Sequence, residues 1–564
     1  MVAMKHGEIE RRAPLTVFGV QYEHIQLRDG GELFLTPFGV PWVENLMPDM
    51  FWTDKQWFSA NSTKLFGHSH RSGGSGTVYR VRTKPKNGKS KEIVVKWNRM
   101  AQDVPGNRDH DQLLTVEFNS PFEEFSLLLE MRDAWRQFNE KRIFTHKPLA
   151  VYVPAETVDP DRLGRKEHRM RDIIEKHPEV KLDLFRRYAV VYEWIKGIDL
   201  QELCRKDVVS SEEMAQMTIS VDQDLSRLGF AVRDRKPQHI ICRVDKAKGT
   251  LQGRGRAFSY ALVDFELLER TPEREKLVKA ARRRKYLEHQ ARRFEKNGEG
   301  AFPHHLDSMK VMGVDYVFGT AESTGGRLWV VGQDPLLFDY FLPERWEHTP
   351  RTKLSPDDEV YETVTRDDIH IVWKLSHVGA YPAVDPFDVR GRRILEHGYN
   401  SPFEKVAIAL ELQSKGVPVS MPRAIYETHH RSTRNTVFGD QSRYISHEHL
   451  RTADGTRILR QDRDYIIIWG YWNKPDPALA EDDRDHYEPV DALRALHTGI
   501  LSYDEYMSLM QHTKEKMQAA GVEDLSFSGR HKLLSLTSAG TLMRDEAGMP
   551  EVRISNFELV RRIV

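Results

Sequence analysis

Apolar positions in the first half of the chain follow two different spacings, one typical of strands and one typical of helices. Residues 78–81 and 92–97 run apolar or alternate, with several β-branched side chains, and a polar turn containing Gly and Pro joins them. This pattern predicts two paired strands. Residues 121–138 instead carry large apolar side chains on one side at helical spacing, and Pro121 suits a first helical turn. The sequence therefore predicts a pair of strands followed by a helix.

A second group of elements follows. Residues 188–195 form an apolar run typical of a buried strand, and residues 211–228 show helical spacing. Short strands are predicted at 240–243 and 260–265, joined by a polar loop rich in Gly and Lys. Strands, helix, strand, helix and then a loop between short strands indicate an α+β domain with two lobes.

The chain also repeats itself at long range. The segment NSPFEEFSLLLEM at 119–131 returns as NSPFEKVAIALEL at 400–412. Further matches keep the same order, and their separations run only from 278 (Lys96 to Lys374) to 294 (Trp52 to Trp346). An ordered set of this kind predicts an internal duplication. The remaining matched pairs are 19–22 with 313–316 and 264–267 with 556–559.

The duplication divides the chain near residue 300, where the polar, Gly-containing residues 295–300 are typical of a linker. A chain of 564 residues has room for two such halves. We expect each half to consist of a small cap and a larger domain. The expected segments are a cap at 1–62, a domain at 63–300, a repeated cap at 301–350 and a second domain at 351–564.

Charge and composition remove several classes of function. Lys plus Arg and Asp plus Glu number 84 each, so the net charge is zero and nucleic acid is not an expected partner. Two cysteines exclude a disulfide scaffold and favour a reducing compartment. The apolar runs are too short for a membrane span, and we expect a cytoplasmic protein. The motifs of zinc proteases, serine hydrolases and P-loop ATPases are absent from the sequence.

A glycine-rich segment, SGGSGTVY at 72–79, leads into the first predicted strand. Gly73, Gly74 and Gly76 would let backbone amides approach phosphate oxygens, although an ordinary hairpin turn uses the same residues. Twenty residues after the last of these glycines, Lys96 ends an apolar strand. A glycine loop followed by such a lysine is a candidate phosphate site, whereas a strand-end lysine taken alone is usually solvated.

Acidic residues follow this lysine at three places in the chain. Glu123 and Glu124 open the helix predicted at 121–138; Glu124 is favoured as the partner of Lys96, with the register open by one residue. The segment VRDRKPQHII contains Asp234, and the segment LVDFE ends an apolar strand with Asp264. Such carboxylates could hold a metal ion and orient an acceptor hydroxyl.

In this order the segments resemble the glycine loop, V-A-I-K, H-R-D-x-K-P-x-N and D-F-G elements of the protein-kinase-like superfamily. The resemblance covers about residues 65–270 and, faintly, 350–564. It implies that Lys96, held by Glu124, contacts the phosphates of ATP. It also implies that Asp234 is the catalytic base and Lys236 stabilises the transferring phosphoryl group. Val78 would lie over the nucleotide, and Glu193 and Trp194 would line the adenine hinge.

The same resemblance assigns the metal site to Asp264 and His239. Asp264 would hold Mg²⁺, with Mn²⁺ as an alternative, and His239 stands where the superfamily has a metal-binding Asn. An imidazole is a poor ligand for Mg²⁺, so His239 could instead hold a softer ion or contact a phosphate. Other departures are Arg71 for the first glycine, Val232 for the histidine of H-R-D, and Glu266 for the glycine of D-F-G. The last resembles aminoglycoside- and choline-kinase-like members.

The second half keeps less of this pattern. Lys374 matches Lys96, but residues 356–368 contain no glycine, Asn556 replaces Asp264 and Ser526 replaces Asp234. The resemblance therefore implies two tandem bilobal kinase-like domains, the second degenerate and pseudokinase-like. We expect an ATP- and Mg²⁺-dependent phosphotransferase acting on a hydroxyl of an unknown protein or small molecule. The alternatives are a tandem pseudokinase scaffold and a kinase-fold AMP transferase.

Overall fold

The computed structural model describes most of the chain between residues 10 and 563. The predicted phosphate-binding glycines, Gly73, Gly74 and Gly76, lie outside the described residues. Among the helices that are described, none is both long enough and apolar enough to cross a membrane. The gaps between the described residues are 12–14, 67–76, 105–116, 139–142, 178–179, 181, 246–249, 255–256, 296–301, 304, 322–323, 356–357, 433–440, 471–487, 538–539 and 546–547.

Helices and strands are mixed along the whole chain, as in the predicted α+β class. The chain divides into two compact units, Met1–Leu277 and Val278–Val564. This division lies upstream of the boundary predicted near residue 300. The helix Pro272–Ala291 accounts for the difference, because its Tyr286 is fully buried in an apolar core formed by residues of the second unit.

The first unit is built on a nine-stranded antiparallel sheet. Leu33 of an N-terminal strand lies directly opposite Tyr152. The described part of 1–62, predicted as a separate cap, therefore contributes strands to this sheet. In spatial order the strands are Glu10–Arg11, Val20–Gln26, Glu32–Leu35, Pro148–Val153, Ala189–Glu193, Glu92–Trp97, Val78–Arg82 and Ser62–Phe66, and Leu15–Val17 also pairs with Val20–Gln26.

Alternation along the strand Glu92–Trp97 decides which way its lysine points. Ile93 and Val95 are buried on one face of the sheet, in a core shared with the N-terminal strands. Val94 packs into the core on the other face, and Lys96 follows it two residues later. Since successive side chains of a strand point to opposite faces, Lys96 shares the face of Val94.

Helix Pro121–Phe138 packs on that same face. The ring of Phe122 meets the rings of Tyr22 and Phe34 edge-on, with centroids 5.4 and 5.3 Å apart. Fully buried Phe122, Phe125 and Leu128 come from the apolar side that the sequence predicts. Burial of each such side chain is worth about 1.5–3 kcal/mol, which fixes the helix against the sheet.

Shorter elements complete the first unit. The strands predicted at 240–243 and 260–265 are present as Ile240–Cys242 and Tyr260–Leu262, and they pair with each other. Ile198–Asp199 and Phe144–Thr145 extend this small sheet, and Phe230–Val232 pairs with Leu268–Arg270. The other helices are Val43–Leu46, Lys55–Asn61, Glu167–Lys176, Leu200–Arg205 and Ser211–Arg227, with one-turn 3₁₀ segments at Val40–Trp42, Pro48–Met50 and Pro237–His239.

The second unit contains an eight-stranded antiparallel sheet. Helix Pro402–Ser414 packs on it: Phe403 meets Tyr316 edge-on, with centroids 5.8 Å apart. The strands in spatial order are Asp307–Val311, Val314–Ala321, Gly326–Val331, Pro422–Arg431, Arg463–Gly470, His370–Leu375, Val360–Val364 and Arg351–Lys353. The other helices are Val389–His397, Ala492–His497 and Tyr503–Ala519, and short strands lie at Glu488–Asp491, Val522–Asp524, Lys532–Leu536, Val552–Ile554 and Val560–Arg562.

Candidate functional site

The site of the first unit forms around Lys96. Its strand is paired on both sides, with Val78 opposite Lys96 on one neighbour and Val190 opposite it on the other. This double pairing fixes the backbone of the lysine. Its side chain is only 8% exposed, and its ammonium group contacts the carboxylates of Asp264 and Glu266.

Asp264 stands in an unusual backbone conformation at the end of strand Tyr260–Leu262. Its φ is +70°, a left-handed value that residues other than Gly seldom adopt and that costs free energy. Burial acts to raise the pKa of Asp264, but the charge of Lys96, the hydrogen bond from Lys96 and the charge of Arg99 hold the pKa below its usual range. The carboxylate is therefore ionised at neutral pH.

His239 lies on the other side of the same carboxylate. Its Nε2 is 3.5 Å from Asp264 Oδ2, and the side chain is 13% exposed. Burial lowers the pKa of His239, opposed by the negative charges of Asp264 and Asp234. The neutral imidazole therefore presents a nitrogen lone pair or an N–H group beside Asp264, depending on its tautomer.

Asp234 and Lys236 occupy the turn between strand Phe230–Val232 and the 3₁₀ segment Pro237–His239. Lys236 Nζ donates to Asp234 Oδ2 at 3.3 Å. Both side chains remain accessible, at 57% for Lys236 and 25% for Asp234. The charge of Asp234 acts on His239, so the turn and the Asp264 carboxylate belong to one electrostatic site.

The two helix carboxylates have different environments. Glu123 caps the helix, because its carboxylate accepts from Ser120 N–H at 3.0 Å while its own N–H donates to Ser120 Oγ. Glu124 is fully buried and accepts a hydrogen bond from the Tyr192 hydroxyl. Burial raises the pKa of Glu124, opposed by the charge of Lys96 and the Tyr192 hydrogen bond. Glu124 therefore faces the site, but the ammonium of Lys96 pairs with other carboxylates.

Backbone N–H groups of the predicted hinge donate hydrogen bonds to carbonyl groups of the neighbouring segments. Trp194 N–H donates to Glu92 O at 3.0 Å, and Glu193 N–H donates to Lys147 O at 2.9 Å. The Glu193 carboxylate also lies 2.7 Å from Lys91 Nζ and 3.2 Å from Lys147 Nζ. These two N–H groups already have protein acceptors, so an adenine would have to use other backbone groups of the segment.

Sequence reasoning missed the role of Glu266. Its side chain is 1% exposed and lies 2.9 Å from Lys96 Nζ, and Arg99 Nε donates to it at 3.1 Å. From the sequence, Glu266 is visible only as a departure from a glycine. The signal that could have found it is the repeat, since Glu558 follows Asn556 as Glu266 follows Asp264.

The residues partly fit the expected metal. Mg²⁺ is commonly held by one or two carboxylates together with substrate phosphates, and Asp264 supplies one ionised carboxylate. His239 supplies nitrogen rather than oxygen, and an imidazole suits softer transition-metal ions better than Mg²⁺. Within the described ranges, three or more His, Cys, Asp or Glu side chains are nowhere grouped so that they could hold a metal ion.

The second unit has a different set of charges at the matching positions. Lys374 Nζ donates to Asn556 Oδ1 at 3.3 Å and lies 3.6 Å from Glu558. Lys405, at the position of Glu124, is buried 2.5 Å from the same Glu558. Burial lowers the pKa of Lys405 to about 8, against the opposing attraction of Glu558. His531, at the position of His239, lies 3.0 Å from the Asn556 amide.

Comparison with known proteins gives little beyond a weak structural similarity. No family model matches the chain, and no curated protein matches it. Among solved structures, it resembles the kinase PK-1 of the Cydia pomonella granulovirus with a TM-score of 0.17 and 14% sequence identity. The match covers 38% of this chain and 54% of that kinase, so the chain spans about half the length of the protein it matches.

Proposed function

We propose that Met1–Leu277 is a kinase-like phosphotransferase domain that uses ATP with a divalent cation. The observation that carries the proposal is the meeting of Lys96, Asp264 and His239 at one point, with Asp264 held ionised in a strained backbone conformation. Strained, charged residues cluster at functional sites more often than at structural ones.

Each residue has a definite part in this proposal. Lys96 would bind the phosphates of the nucleotide, and Asp264 would hold the cation, which neutralises phosphate charge when bound. Asp234 would accept the proton of the acceptor hydroxyl, and its exposure leaves it open to a substrate. Lys236, 3.3 Å from Asp234, would stabilise negative charge on the transferring group.

Contacts that recur in the two units support the proposed duplication. Asn119 Nδ2 donates to Leu268 O at 2.8 Å, and Asn400 Nδ2 donates to Val560 O at 2.6 Å. In each case an asparagine before a helix ties that helix to the segment after the site. The paired buried hydrogen bonds between serine and histidine side chains repeat as well: Ser120 with His177, and Ser401 with His447.

The second unit would be a degenerate copy with no phosphotransfer role. Asn556 has no charge for a metal ion, and the buried ammonium of Lys405 takes the place of the helix carboxylate. Ser526 stands where the first unit has the proposed base Asp234. These replacements support a pseudokinase-like unit.

The rival function is a tandem pseudokinase that binds a partner. The observation that favours it is the hinge, where the N–H groups of Glu193 and Trp194 are already occupied by backbone carbonyls. Thermal melting with ATP and Mn²⁺ separates the two functions, since a ligand that binds only the folded state raises the melting temperature. A flat response at millimolar ATP would favour the pseudokinase.

The decisive test compares Asp234→Asn with Asp172→Asn, which removes an exposed carboxylate from helix Glu167–Lys176. We expect Asp234→Asn to reduce ATP-dependent transfer to acceptor mixtures by about 100-fold or more, with nucleotide binding retained. Asp172→Asn should behave as the wild type. Mass spectrometry of the product distinguishes phosphoryl from AMP transfer. Equal transfer by Asp234→Asn and the wild type would overturn the proposal.

A further inference from the structure

The ammonium of Lys96 is held by the residue two positions after Asp264. Lys96 Nζ lies 2.9 Å from Glu266 Oε2, and the Glu266 side chain is almost completely buried. Charged hydrogen bonds of this length are strong, and their strength increases away from water. The buried Glu266 carboxylate is thus placed to hold the Lys96 ammonium in position, and we refer to it as the anchor of the lysine.

Glu266 is itself fixed from two further directions. Arg99, three residues after Lys96, contacts both oxygens of its carboxylate, with Nε 3.1 Å from Oε2. The Arg99 guanidinium lies over the ring of Phe118, 4.0 Å from its centroid. The backbone carbonyl of Glu266 accepts from Asn119 N–H at 2.9 Å. The anchor is therefore tied both to the strand of Lys96 and to the residues that precede helix Pro121–Phe138.

The helix carboxylate expected in this role is engaged elsewhere. The Glu124 carboxylate accepts the hydroxyl hydrogen bond of Tyr192, which comes from the neighbouring strand. Burial raises the pKa of Glu124, whereas the charge of Lys96 lowers it. Glu124 therefore influences Lys96 through the local field rather than by direct pairing.

The second unit supplies an instance in which the helix has a lysine at the position of Glu124. Lys405 occupies the position of Glu124, yet Glu558 still lies 3.6 Å from Lys374 Nζ and 3.5 Å from His377 Nδ1. Buried Glu558 thus pairs with the strand lysine and with a basic residue three positions further along, as Glu266 does with Lys96 and Arg99. The pairing persists where the position of Glu124 holds Lys405, which itself lies 2.5 Å from Glu558.

We infer that Glu266, rather than Glu124, is the positioning residue that holds Lys96 beside Asp264. This inference rests on the proposed phosphotransferase function. Because Glu266 and Asp264 belong to one short turn, the turn sets the distance between the phosphate-binding ammonium and the metal-binding carboxylate.

The inference is testable first without a nucleotide. Reductive methylation of lysines in the full chain, followed by peptide mass spectrometry, gives the labelling rate of Lys96 against exposed Lys206 as an internal reference. Glu266→Gln weakens the hold on the ammonium, and we expect labelling of Lys96 to rise about tenfold, the effect of one charged hydrogen bond. Glu124→Gln should raise it less than about twofold, because Glu124 does not contact Lys96.

Loss of Glu266 leaves Arg99 facing a neutral partner, which could unfold the unit. The double variant Arg99→Met/Glu266→Gln removes one cation with the anion and keeps the charge balanced. Its Lys96 should label as fast as that of Glu266→Gln, with a melting temperature nearer the wild type. Slow labelling in a folded double variant would overturn the inference.

Transfer kinetics complete the test. Where the wild type transfers phosphate, we expect Glu266→Gln to lower kcat/KM for ATP about 10- to 100-fold, and Glu124→Gln to lower it less. A larger loss for Glu124→Gln would overturn the inference. If the wild type neither binds nor uses ATP, the proposed function fails while the labelling still decides between the two carboxylates.

Discussion

At the scale of single residues, the charged groups of the first unit are arranged in order of burial. Glu266 is buried, Lys96 and His239 are nearly so, and the Asp264 and Asp234 side chains are partly exposed, at 26% and 25%. The buried members fix one another, and the two partly exposed carboxylates remain accessible from solvent. Such a gradient allows a rigid site to act on a molecule that arrives from solvent.

The sequence identifies which of these residues belong to the candidate site, but it does not identify which carboxylate pairs with Lys96. Lys96, Asp264 and His239 are recognisable from motif order and come together in the structure. The partner of Lys96 is not recognisable, because Glu124 and Glu266 are both near in the fold and only side-chain packing decides between them. Burial of Tyr192 beside Glu124 is a long-range fact that no local pattern contains.

A neighbouring histidine makes stability depend on pH. His146 stacks on Tyr192 with ring centroids 3.6 Å apart, and burial, aided by the charge of Lys96, lowers the pKa of His146 to about 3. The folded state keeps this ring neutral, whereas the unfolded chain protonates it below about pH 6.5. Below about pH 6.5 the unfolded state binds a proton that the folded state does not. The free energy of unfolding therefore decreases as the pH falls from about 6.5 toward 3.

His146→Phe should remove this dependence while keeping a stacked ring. Between pH 6.5 and pH 5 the wild type should lose about 2 kcal/mol more of unfolding free energy than the variant. Denaturant titrations at the two pH values measure the difference. An identical pH dependence for the two proteins would show that His146 titrates normally.

At the scale of elements, the spacing of apolar residues is sufficient to predict the bounds of the main helix and of the strand that carries Lys96. Helix Pro121–Phe138 has the predicted bounds, and strand Glu92–Trp97 likewise. The sequence predicts the N-terminal segment as a separate cap because its pairing with a distant strand leaves no local pattern. Leu33, for example, lies opposite Tyr152, more than a hundred residues away. The predicted boundary near 300 likewise depends on where Tyr286 is buried, which composition cannot reveal.

The serine of the capping box at the start of helix Pro402–Ser414 is buried and has an additional histidine partner. Ser401 and Glu404 form a capping box, and buried Ser401 Oγ also lies 2.7 Å from His447 Nε2. Ser401→Ala should therefore cost about 1 kcal/mol for the cap and about 1–3 kcal/mol more for the buried histidine left without its partner. Chemical denaturation of the full chain measures the loss.

Ser502→Ala is the matched control. Ser502 forms the same capping box with Glu505 at helix Tyr503–Ala519, but both residues are exposed. Its cost should stay near 1 kcal/mol. Equal losses for Ser401→Ala and Ser502→Ala would mean that the bond to His447 contributes no stability.

At the scale of the whole molecule, two units of similar internal design carry opposite charges at one position. Glu124 in the first unit and Lys405 in the second occupy the same place on a buried helix face. Asn556 is neutral where the first unit has the carboxylate of Asp264. The matching positions of the second unit are therefore positive or neutral where those of the first are acidic. A divalent cation with a nucleotide should therefore distinguish the two units.

The full chain should bind one nucleotide rather than two. Calorimetric titration with a non-hydrolysable ATP analogue and Mn²⁺ should give a stoichiometry of one, because Asn556 lacks the charge that a metal ion needs. Asp264→Asn should abolish the binding. A stoichiometry of two, or binding that survives Asp264→Asn and disappears with Lys374→Met, would assign the nucleotide to the second unit.

The positive φ of Asp264 separates the site of the first unit from the matching position of the second. Holding that backbone costs about 1–3 kcal/mol, and among the described residues with a positive φ the counterpart Asn556 does not occur. Asn556 therefore does not share the left-handed backbone of Asp264. That conformation accompanies the ionised carboxylate at residue 264 and is not required by the matching position of the second unit.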